Sequence, residues 1–145
     1  MIRYLPMIRY LLDTDHLSLQ QRGIPQLLSR LKQIPPDEIA ISVITVEEQF
    51  RGRLAQIRGA RSVAELLPAY LQLRQTLALL GPFNVVDFDA QAQQAFDQLK
   101  PYKLKIGTQD IRIAAIALSR GLTLVTRNQR HFAQVANLIW EDWSK

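Results

Sequence analysis

Apolar residues along the chain occur in two patterns: short continuous runs, and longer stretches with an apolar residue at every third or fourth position. Continuous runs are typical of strands that are buried on both faces of a sheet. They occupy residues 8–12, 38–42, 84–88, 122–125 and, more weakly, 137–140. Because helical spacing fills the intervals between them, the pattern predicts an α/β fold: a three-layer α/β/α sandwich with a central, mostly parallel sheet.

The predicted helices begin and end at recognisable residues. One spans 24–34 and stops at two prolines, and a second follows Ser42, whose hydroxyl suits an N-cap. A long helix is predicted over 66–80, another over 89–99, and a last one from Thr108 as cap to Gly121. We expect inward-facing side chains at Val43, Val46, Phe50 and Leu54, and at Leu67, Leu71, Leu77 and Leu80.

Length and composition indicate one domain. A chain of 145 residues with 48% hydrophobic content buries one core, which we assign to residues 7–145. MIRYL occurs at 1–5 and again at 7–11, so residues 1–6 are interpreted as an N-terminal extension. The absence of cysteine excludes disulfides, zinc–thiolate sites and thiol catalysis. With no bilayer-length apolar run and no signal-peptide pattern, we expect a cytoplasmic protein with no membrane partner.

The charge balance favours a polyanionic partner. The net charge is +5 and the pI is near 9.9. Any single basic cluster also fits an ordinary solvated surface. The clusters comprise arginines 51, 53, 58 and 61, lysines 100, 103 and 105, and arginines 127 and 130.

Three carboxylates occupy positions where chemistry is expected. Asp13 directly follows the first apolar run, which places it at the carboxyl edge of a parallel sheet, where open α/β folds bind ligands. Asp15 is the better candidate for capping the next helix, which leaves Asp13 free to face that edge. Asp110 lies in the first turn of an apolar helix that would hold it rigidly. Helical spacing does not decide whether Glu47 or Glu48 faces inward.

If the fold brings three such acids together, their mutual repulsion favours a shared hard cation. A metal ion held by carboxylates beside basic surface is the chemistry of phosphodiester cleavage. The residues therefore point to a metal-dependent nuclease.

Four sequence blocks carry a family resemblance: LLDTDHLS, SVITVEEQFRG, IGTQDIRIAAIAL, and LTLVTRNQRHFAQV with the tail LIWEDW. In this order, over residues 7–143, they resemble PIN-domain ribonucleases, and most closely VapC toxins of bacterial toxin–antitoxin pairs. The resemblance implies a PIN-like fold and an endoribonuclease that uses Mg²⁺ or Mn²⁺. The expected substrate is tRNA or rRNA, and the expected products carry a 5′-phosphate and a 3′-hydroxyl.

The resemblance also assigns roles to residues. The acids that it implies at the metal are Asp13, Glu48 and Asp110, with Asn128 as a neutral oxygen ligand. It makes Thr126 a hydrogen-bonding residue within the site, and Thr14 a further supporting residue. Two departures are Gln49, where leucine is usual, and His131, where an acid is more common. Phosphate contacts are predicted at Arg127 and Arg130, and a substrate or partner contact at Arg112.

Three alternatives remain open at this stage. His16 and His131 could form the acid–base pair of a metal-free ribonuclease. The fold could instead bind RNA or protein without cleaving it. Asp13 and Asp15 also form a D-x-D pair like that of phosphate-transferring hydrolases, but the downstream threonine is absent.

The resemblance further implies two protein partners. A small antitoxin is expected to insert an arginine among the acids and to lay an apolar helix in a groove. Leu17, Leu19, Ile24 and the helix around 43–54 are candidates for that groove. A homodimer is also expected.

Overall fold

The computed structural model describes residues 7–145, and the predicted extension 1–6 lies outside the described residues. A five-stranded sheet forms its centre, with every neighbouring pair parallel and the strand order β3-β2-β1-β4-β5. The strands are β1 (Tyr10–Leu12), β2 (Ile39–Ser42), β3 (Asn84–Val86), β4 (Thr123–Val125) and β5 (Trp140–Glu141). The predicted α/β architecture with a mostly parallel sheet is confirmed.

Seven α-helices connect the strands within the described part of the chain. They are α1 (Thr14–Gln21), α2 (Pro25–Lys32), α3 (Val43–Gly59), α4 (Val63–Leu80), α5 (Ala90–Leu99), α6 (Thr108–Arg120) and α7 (Gln129–Phe132). Two short 3₁₀ turns lie at Pro36–Glu38 and Lys100–Tyr102. None of the helices between residues 7 and 145 is long and apolar enough to cross a bilayer.

Alternating strand residues divide the core into two apolar layers. Leu11, Ala40 and Leu124 pack on one face with α5 and α6, around Phe96 and Ile116. On the other face, Leu12, Ile41 and Val125 pack with α1 and α2 and with the buried Trp143. Because side chains alternate along a strand, each strand covers both faces, which explains its continuous apolar sequence.

The predicted packing of the long helix is wrong at three of its four leucines. Leu67, Leu71 and Leu77 are 63%, 58% and 57% exposed, and Leu80 is buried as expected. Leu54 of α3 is also exposed, at 45%. The cause is that α4 packs mainly on α3 rather than on the sheet. Only a narrow stripe of α4 side chains is therefore buried. That stripe on α4 contains Ala69, Thr76 and Leu80.

A polar cluster fixes the contact between these two helices. The Arg53 guanidinium donates from Nε to Oγ1 of Thr76 at 2.9 Å and from an Nη to Oε1 of Gln72 at 3.1 Å. Thr76 in turn donates to the carbonyl oxygen of Gln72. Since Thr76 is 2% exposed, its hydroxyl would be unsatisfied without these partners.

Several predicted element boundaries change: β1 begins at Tyr10 rather than at residue 8, α4 begins at Val63, and β5 spans Trp140–Glu141. Gly107, not Thr108, is the N-cap of α6, and it makes no side-chain hydrogen bond. The chain there adopts the extended cap conformation one residue early, so Thr108 is already helical. The third strand ends at Val86 because Asp89 caps α5 by accepting from the amide of Ala92, and the residues before it turn into that cap.

We expect Ile116→Ala to lower the free energy of unfolding by about 2–5 kcal/mol, the cost of a large cavity at a fully enclosed site. Ile116 is 0% exposed and lies between α6 and the sheet. Urea denaturation followed by circular dichroism measures the change. Ile139→Ala is the control, because Ile139 is 66% exposed and its replacement should cost little.

Candidate active site

Three of the four residues predicted to bind a metal line one cavity at the carboxyl edge of the sheet. Asp13 directly follows β1, Asn128 lies three residues beyond β4, and Asp110 lies in the first turn of α6. The cavity has a volume of about 630 Å³, and its lining residues are Asp13, Thr14, Asp15, Ser18, Asp110, Arg127, Asn128 and Phe132. The carboxyl edge of the sheet and the first turn of α6 therefore meet at the site that was predicted from the sequence.

Asp13, and not Asp15, caps α1, which corrects the sequence interpretation. Its backbone is extended (φ −75°, ψ 171°), and Oδ1 accepts from the amide of His16 at 2.7 Å. Asp15 is already inside the first turn, and its carboxylate accepts from the Arg127 guanidinium at 2.6 and 3.3 Å. Asp13 thus caps the helix with one oxygen and still borders the cavity, although it is 5% exposed.

Glu48 is the inward-facing member of the acid pair on α3. Oε1 of Glu48 accepts a hydrogen bond of 2.9 Å from the hydroxyl of Thr14, which is also 3.0 Å from the Thr45 hydroxyl. Glu47 is exposed and accepts from Arg51 at 2.8 Å and from Gln109 at 2.7 Å. The structure therefore separates two residues that helical spacing left equivalent.

The environment raises the pKa of two of the three acids. Burial is the largest cause at Glu48; repulsion from Asp110 adds to it, and the Thr14 hydrogen bond opposes it. At Asp110, burial again raises the pKa most, repulsion from Asp13 raises it further, and His131 lowers it. By contrast, the pKa of Glu47 is lowered, first by its hydrogen bond from Gln109. Asp13, Glu48 and Asp110 therefore share one electrostatic neighbourhood of like charge.

Asp13, Glu48 and Asp110 lie near one another but do not form a complete set of ligands for one ion. Among residues 7–145, no group of three acidic or histidine side chains has the spacing of ligands around one ion. Asp13 and Asp110 face the same cavity, and Glu48 reaches its border through Thr14. Mg²⁺ prefers oxygen ligands and binds through one or two carboxylates, with water and substrate phosphate in its other positions. The donors present fit such an ion.

The loop after β4 supplies the amide and its supporting residues. The backbone amide of Asn128 donates to Oγ1 of the fully buried Thr126 at 3.0 Å. The Asn128 side-chain nitrogen lies 2.8 Å from Nδ1 of His131. With the amide assigned in this way, His131 holds the nitrogen, and the carbonyl oxygen is left for the cavity. No signal in the sequence indicated this role of His131.

The three candidate arginines have different surroundings. Arg127 pairs with Asp15 at the cavity. Arg112 donates to Gln109 at 2.7 Å and lies over the ring of Phe96. The side chain of Arg130 is exposed and makes no hydrogen bond or ion pair within the described residues.

His16 does not fit the metal-free alternative. Its side chain is 0% exposed and lies between α1 and the C-terminal residues, so it cannot contact a substrate. His131 instead contacts Asn128, through Nδ1. Leu17 and Leu19 are likewise buried, at 0% and 3%, which removes them from the predicted partner groove.

A parallel sheet covered by helices on both faces, with an acidic cavity at its carboxyl edge, defines an α/β domain whose candidate site lies where the strands end. The chain belongs to the PIN domain family, whose model matches residues 10–138. It is 28% identical over 140 residues to ribonuclease VapC1 of Haemophilus influenzae, covering 94% of this chain and 98% of the relative. It is 27% identical over 142 residues to the tRNA(fMet)-specific endonuclease VapC of Shigella flexneri, covering 95% and 100%.

Solved structures agree with this assignment. VapBC-1 from nontypeable Haemophilus influenzae superposes with a TM-score of 0.75 at 26% identity, covering 95% of this chain and 100% of that one. A toxin–antitoxin complex from Klebsiella pneumoniae superposes with a TM-score of 0.65 at 26% identity, covering 90% and 95%. The PIN-like fold expected from the sequence is confirmed.

Proposed function

We propose that the chain is a metal-dependent endoribonuclease, the toxin of a toxin–antitoxin pair, which inhibits translation by cleaving tRNA or rRNA. The observation that carries the proposal is that Asp13 and Asp110 border one cavity, where repulsion from Asp13 helps to raise the pKa of Asp110. Two like charges held that close are costly unless a cation lies between them. The names of the similar proteins, ribonuclease and endonuclease, support a nuclease over a binding module.

Each residue has a defined task in this proposal. Asp13, Glu48 and Asp110 would hold Mg²⁺ or Mn²⁺, directly or through water molecules bound to the ion, with Asn128 as a further oxygen donor. When bound, the ion would withdraw charge from the phosphodiester and acidify a water molecule. Thr14 orients Glu48 through its 2.9 Å hydrogen bond, and the Thr126 hydroxyl orients the loop that carries Asn128.

The basic residues around the cavity fit a polyanionic substrate. Arg127 lines the cavity, and its partner Asp15 is exposed enough for the pair to open toward a phosphate. Arg130 follows three residues later in the chain, on α7. Because one relative is named a tRNA(fMet)-specific endonuclease, tRNA is the first substrate to test.

A small antitoxin is the proposed protein partner, since a similar solved structure is a toxin–antitoxin complex. The exposed apolar side chains of the α3–α4 pair, Leu54, Leu67 and Leu71, suit an amphipathic partner helix. An arginine from the partner would neutralise the acids of the cavity. A second copy of the chain, giving a homodimer, is proposed from the family resemblance.

Incubation of the purified protein with total RNA tests the activity. We expect new RNA ends with Mn²⁺ or Mg²⁺, none with EDTA, and a 5′-phosphate on the downstream fragment. Titration of Mn²⁺ into the protein by calorimetry tests the metal separately. RNA binding without cleavage, together with no heat of metal binding, would establish the non-catalytic alternative. Cleavage that persists in EDTA and leaves a cyclic phosphate would contradict the metal assignment.

Replacing Arg130 with Gln should weaken RNA binding alike for all sequences and reduce the salt dependence of the affinity by about one phosphate contact. The physical reason is the loss of one exposed cation that lacks an internal partner in the described structure. Filter binding at several salt concentrations measures the slope. Arg74→Gln is the matched control, because Arg74 lies on α4, which contributes no residue to the cavity. An unchanged slope in the Arg130 variant would remove this residue from the RNA interface.

A further inference from the structure

A buried histidine connects the acid at the end of β1 to the C-terminal residues. His16 is 0% exposed, and its Nδ1 lies 3.5 Å from Oδ1 of Asp13. On the opposite side of the ring, Nε2 accepts from the backbone amide of Trp143 at 3.3 Å and lies 3.6 Å from Oδ1 of Asp142. The ring therefore connects α1 to a segment that lies 127 residues later in the chain.

The contacts of the ring determine where its hydrogen lies. A ring with a hydrogen on Nε2 alone would oppose the N–H of Trp143 and turn a lone pair toward the carboxylate of Asp13. A hydrogen on Nδ1 avoids both conflicts and lies on the side of the ring that faces Oδ1 of Asp13, which already accepts from the backbone amide of His16. The 3.5 Å contact is too long for a hydrogen bond, and Nδ1 has no hydrogen-bond partner among residues 7–145. This tautomer is inferred from the heavy atoms. The backbone amide and Nδ1 of His16 thus face the same carboxylate oxygen, the amide at hydrogen-bond distance and Nδ1 beyond it.

The C-terminal segment Asp142–Ser144 is itself held firmly. Oδ1 of Asp142 accepts from the amide of Ser144 at 2.8 Å and from its hydroxyl at 2.5 Å. The indole of Trp143 is 3% exposed, packs edge-on against Tyr10 at 5.0 Å between ring centres, and lies under the guanidinium of Arg30. The amide that fixes the orientation of His16 therefore belongs to an anchored piece of backbone.

We propose that His16 is a positioning residue for Asp13. Its Nδ1 faces Oδ1 from the protein side, which leaves Oδ2 for a metal ion in the cavity, and the C-terminal segment Asp142–Ser144 keeps the ring in place. This inference rests on the proposed function, because it presumes that Asp13 binds the metal. Groups that orient a metal ligand commonly change metal affinity by about 10- to 100-fold when they are removed.

Two polar replacements of His16 test the roles of the two ring nitrogens separately. In His16→Asn, the amide nitrogen falls close to the position of Nδ1 and still faces Asp13. In His16→Gln, the longer side chain places its amide near Nε2, so the side-chain donor that faces Asp13 is lost. We expect the Gln variant to bind Mn²⁺ about tenfold more weakly than the wild type, and the Asn variant to retain most of the affinity. Calorimetric titration of Mn²⁺ without RNA measures both.

A control variant separates positioning from general stability. Leu19→Val shortens a core side chain on the same helix, at 3% exposure, and should lower the melting temperature without changing Mn²⁺ affinity. Equal Mn²⁺ affinity in the Asn and Gln variants would overturn the inference. So would a Mn²⁺ affinity that falls in Leu19→Val in proportion to the decrease in melting temperature. A wild-type protein that binds no Mn²⁺ would contradict the proposed function itself, and with it the role of His16.

Discussion

Asp13→Asn should reduce RNA cleavage by at least about a hundredfold without lowering the melting temperature. Stabilisation of charge by a bound metal is worth several kcal/mol, and each 1.36 kcal/mol is about tenfold in rate. Asparagine caps a helix as well as aspartate does, so Oδ1 keeps its bond from the amide of His16. What the substitution removes is the negative charge that a divalent ion needs.

Comparison with Asp13→Ala separates the two tasks of this carboxylate. Alanine removes both the cap and the charge, so it should abolish cleavage and also lower the free energy of unfolding by about 1 kcal/mol. Cleavage is measured on a fixed tRNA substrate with Mn²⁺, and stability by thermal denaturation without metal. Wild-type cleavage by Asp13→Asn would show that this acid only caps α1.

Asp110→Asn should also eliminate cleavage, and at the same time raise the melting temperature of the metal-free protein by about 3 °C, the shift that roughly 1 kcal/mol gives in a domain of this size. Burial and repulsion from Asp13 raise the pKa of Asp110, so its ionised form is less stable in the folded protein than in the unfolded chain. A neutral amide removes that repulsion. Solvent screening at this half-buried position keeps the gain small.

The stability gain of Asp110→Asn should depend on pH. A carboxyl whose pKa is raised by folding destabilises the protein at pH values above its folded pKa, and the penalty disappears below the unfolded pKa, where the group is neutral in both states. The two proteins should therefore differ most at neutral pH and converge as the pH falls through the acidic range. Thermal denaturation from pH 7 to pH 3 measures the difference.

Asp89 provides a control, because folding shifts its pKa in the direction opposite to that of Asp110. It also stands at a helix start, but its pKa is lowered, first by the hydrogen bond from the amide of Ala92 and also by Arg120. Its ionised form therefore stabilises the folded protein above the unfolded pKa, and that contribution is lost as the pH falls through the folded pKa. Asp89→Asn should not raise the melting temperature at neutral pH. An increase equal to that of Asp110→Asn would mean that general charge reduction, not the site, causes the effect.

Much of the fold could be predicted because parallel strands buried on both faces are continuously apolar. The run at Tyr10–Leu12 placed Asp13 at the edge of the sheet, and the apolar stretch behind Asp110 fixed its helix. The exposed leucines of α4 could not be predicted, since the spacing of Leu67 and Leu71 is the same whether a helix packs on a sheet or only on a neighbouring helix.

The residues that support the site could not be predicted from the sequence, for a different reason. Thr14 and Glu48 are 34 positions apart, and His16 and Trp143 are 127 apart, so no local pattern connects them. The choice between Glu47 and Glu48 depends on which of them meets Thr14, a contact that helical geometry alone leaves undetermined. Asp15 was expected to cap α1, but its carboxylate is occupied by Arg127.

The order of the strands determines when during translation the site can form. β1 lies between β2 and β4, so the edge that carries Asp13 has both neighbours only after residue 125 has emerged from the ribosome. A nascent chain that stops short of β4 contains Asp13 and Glu48 but lacks the strand that completes their surroundings. A product of interrupted synthesis that ends before β4 would therefore lack the assembled acidic cavity.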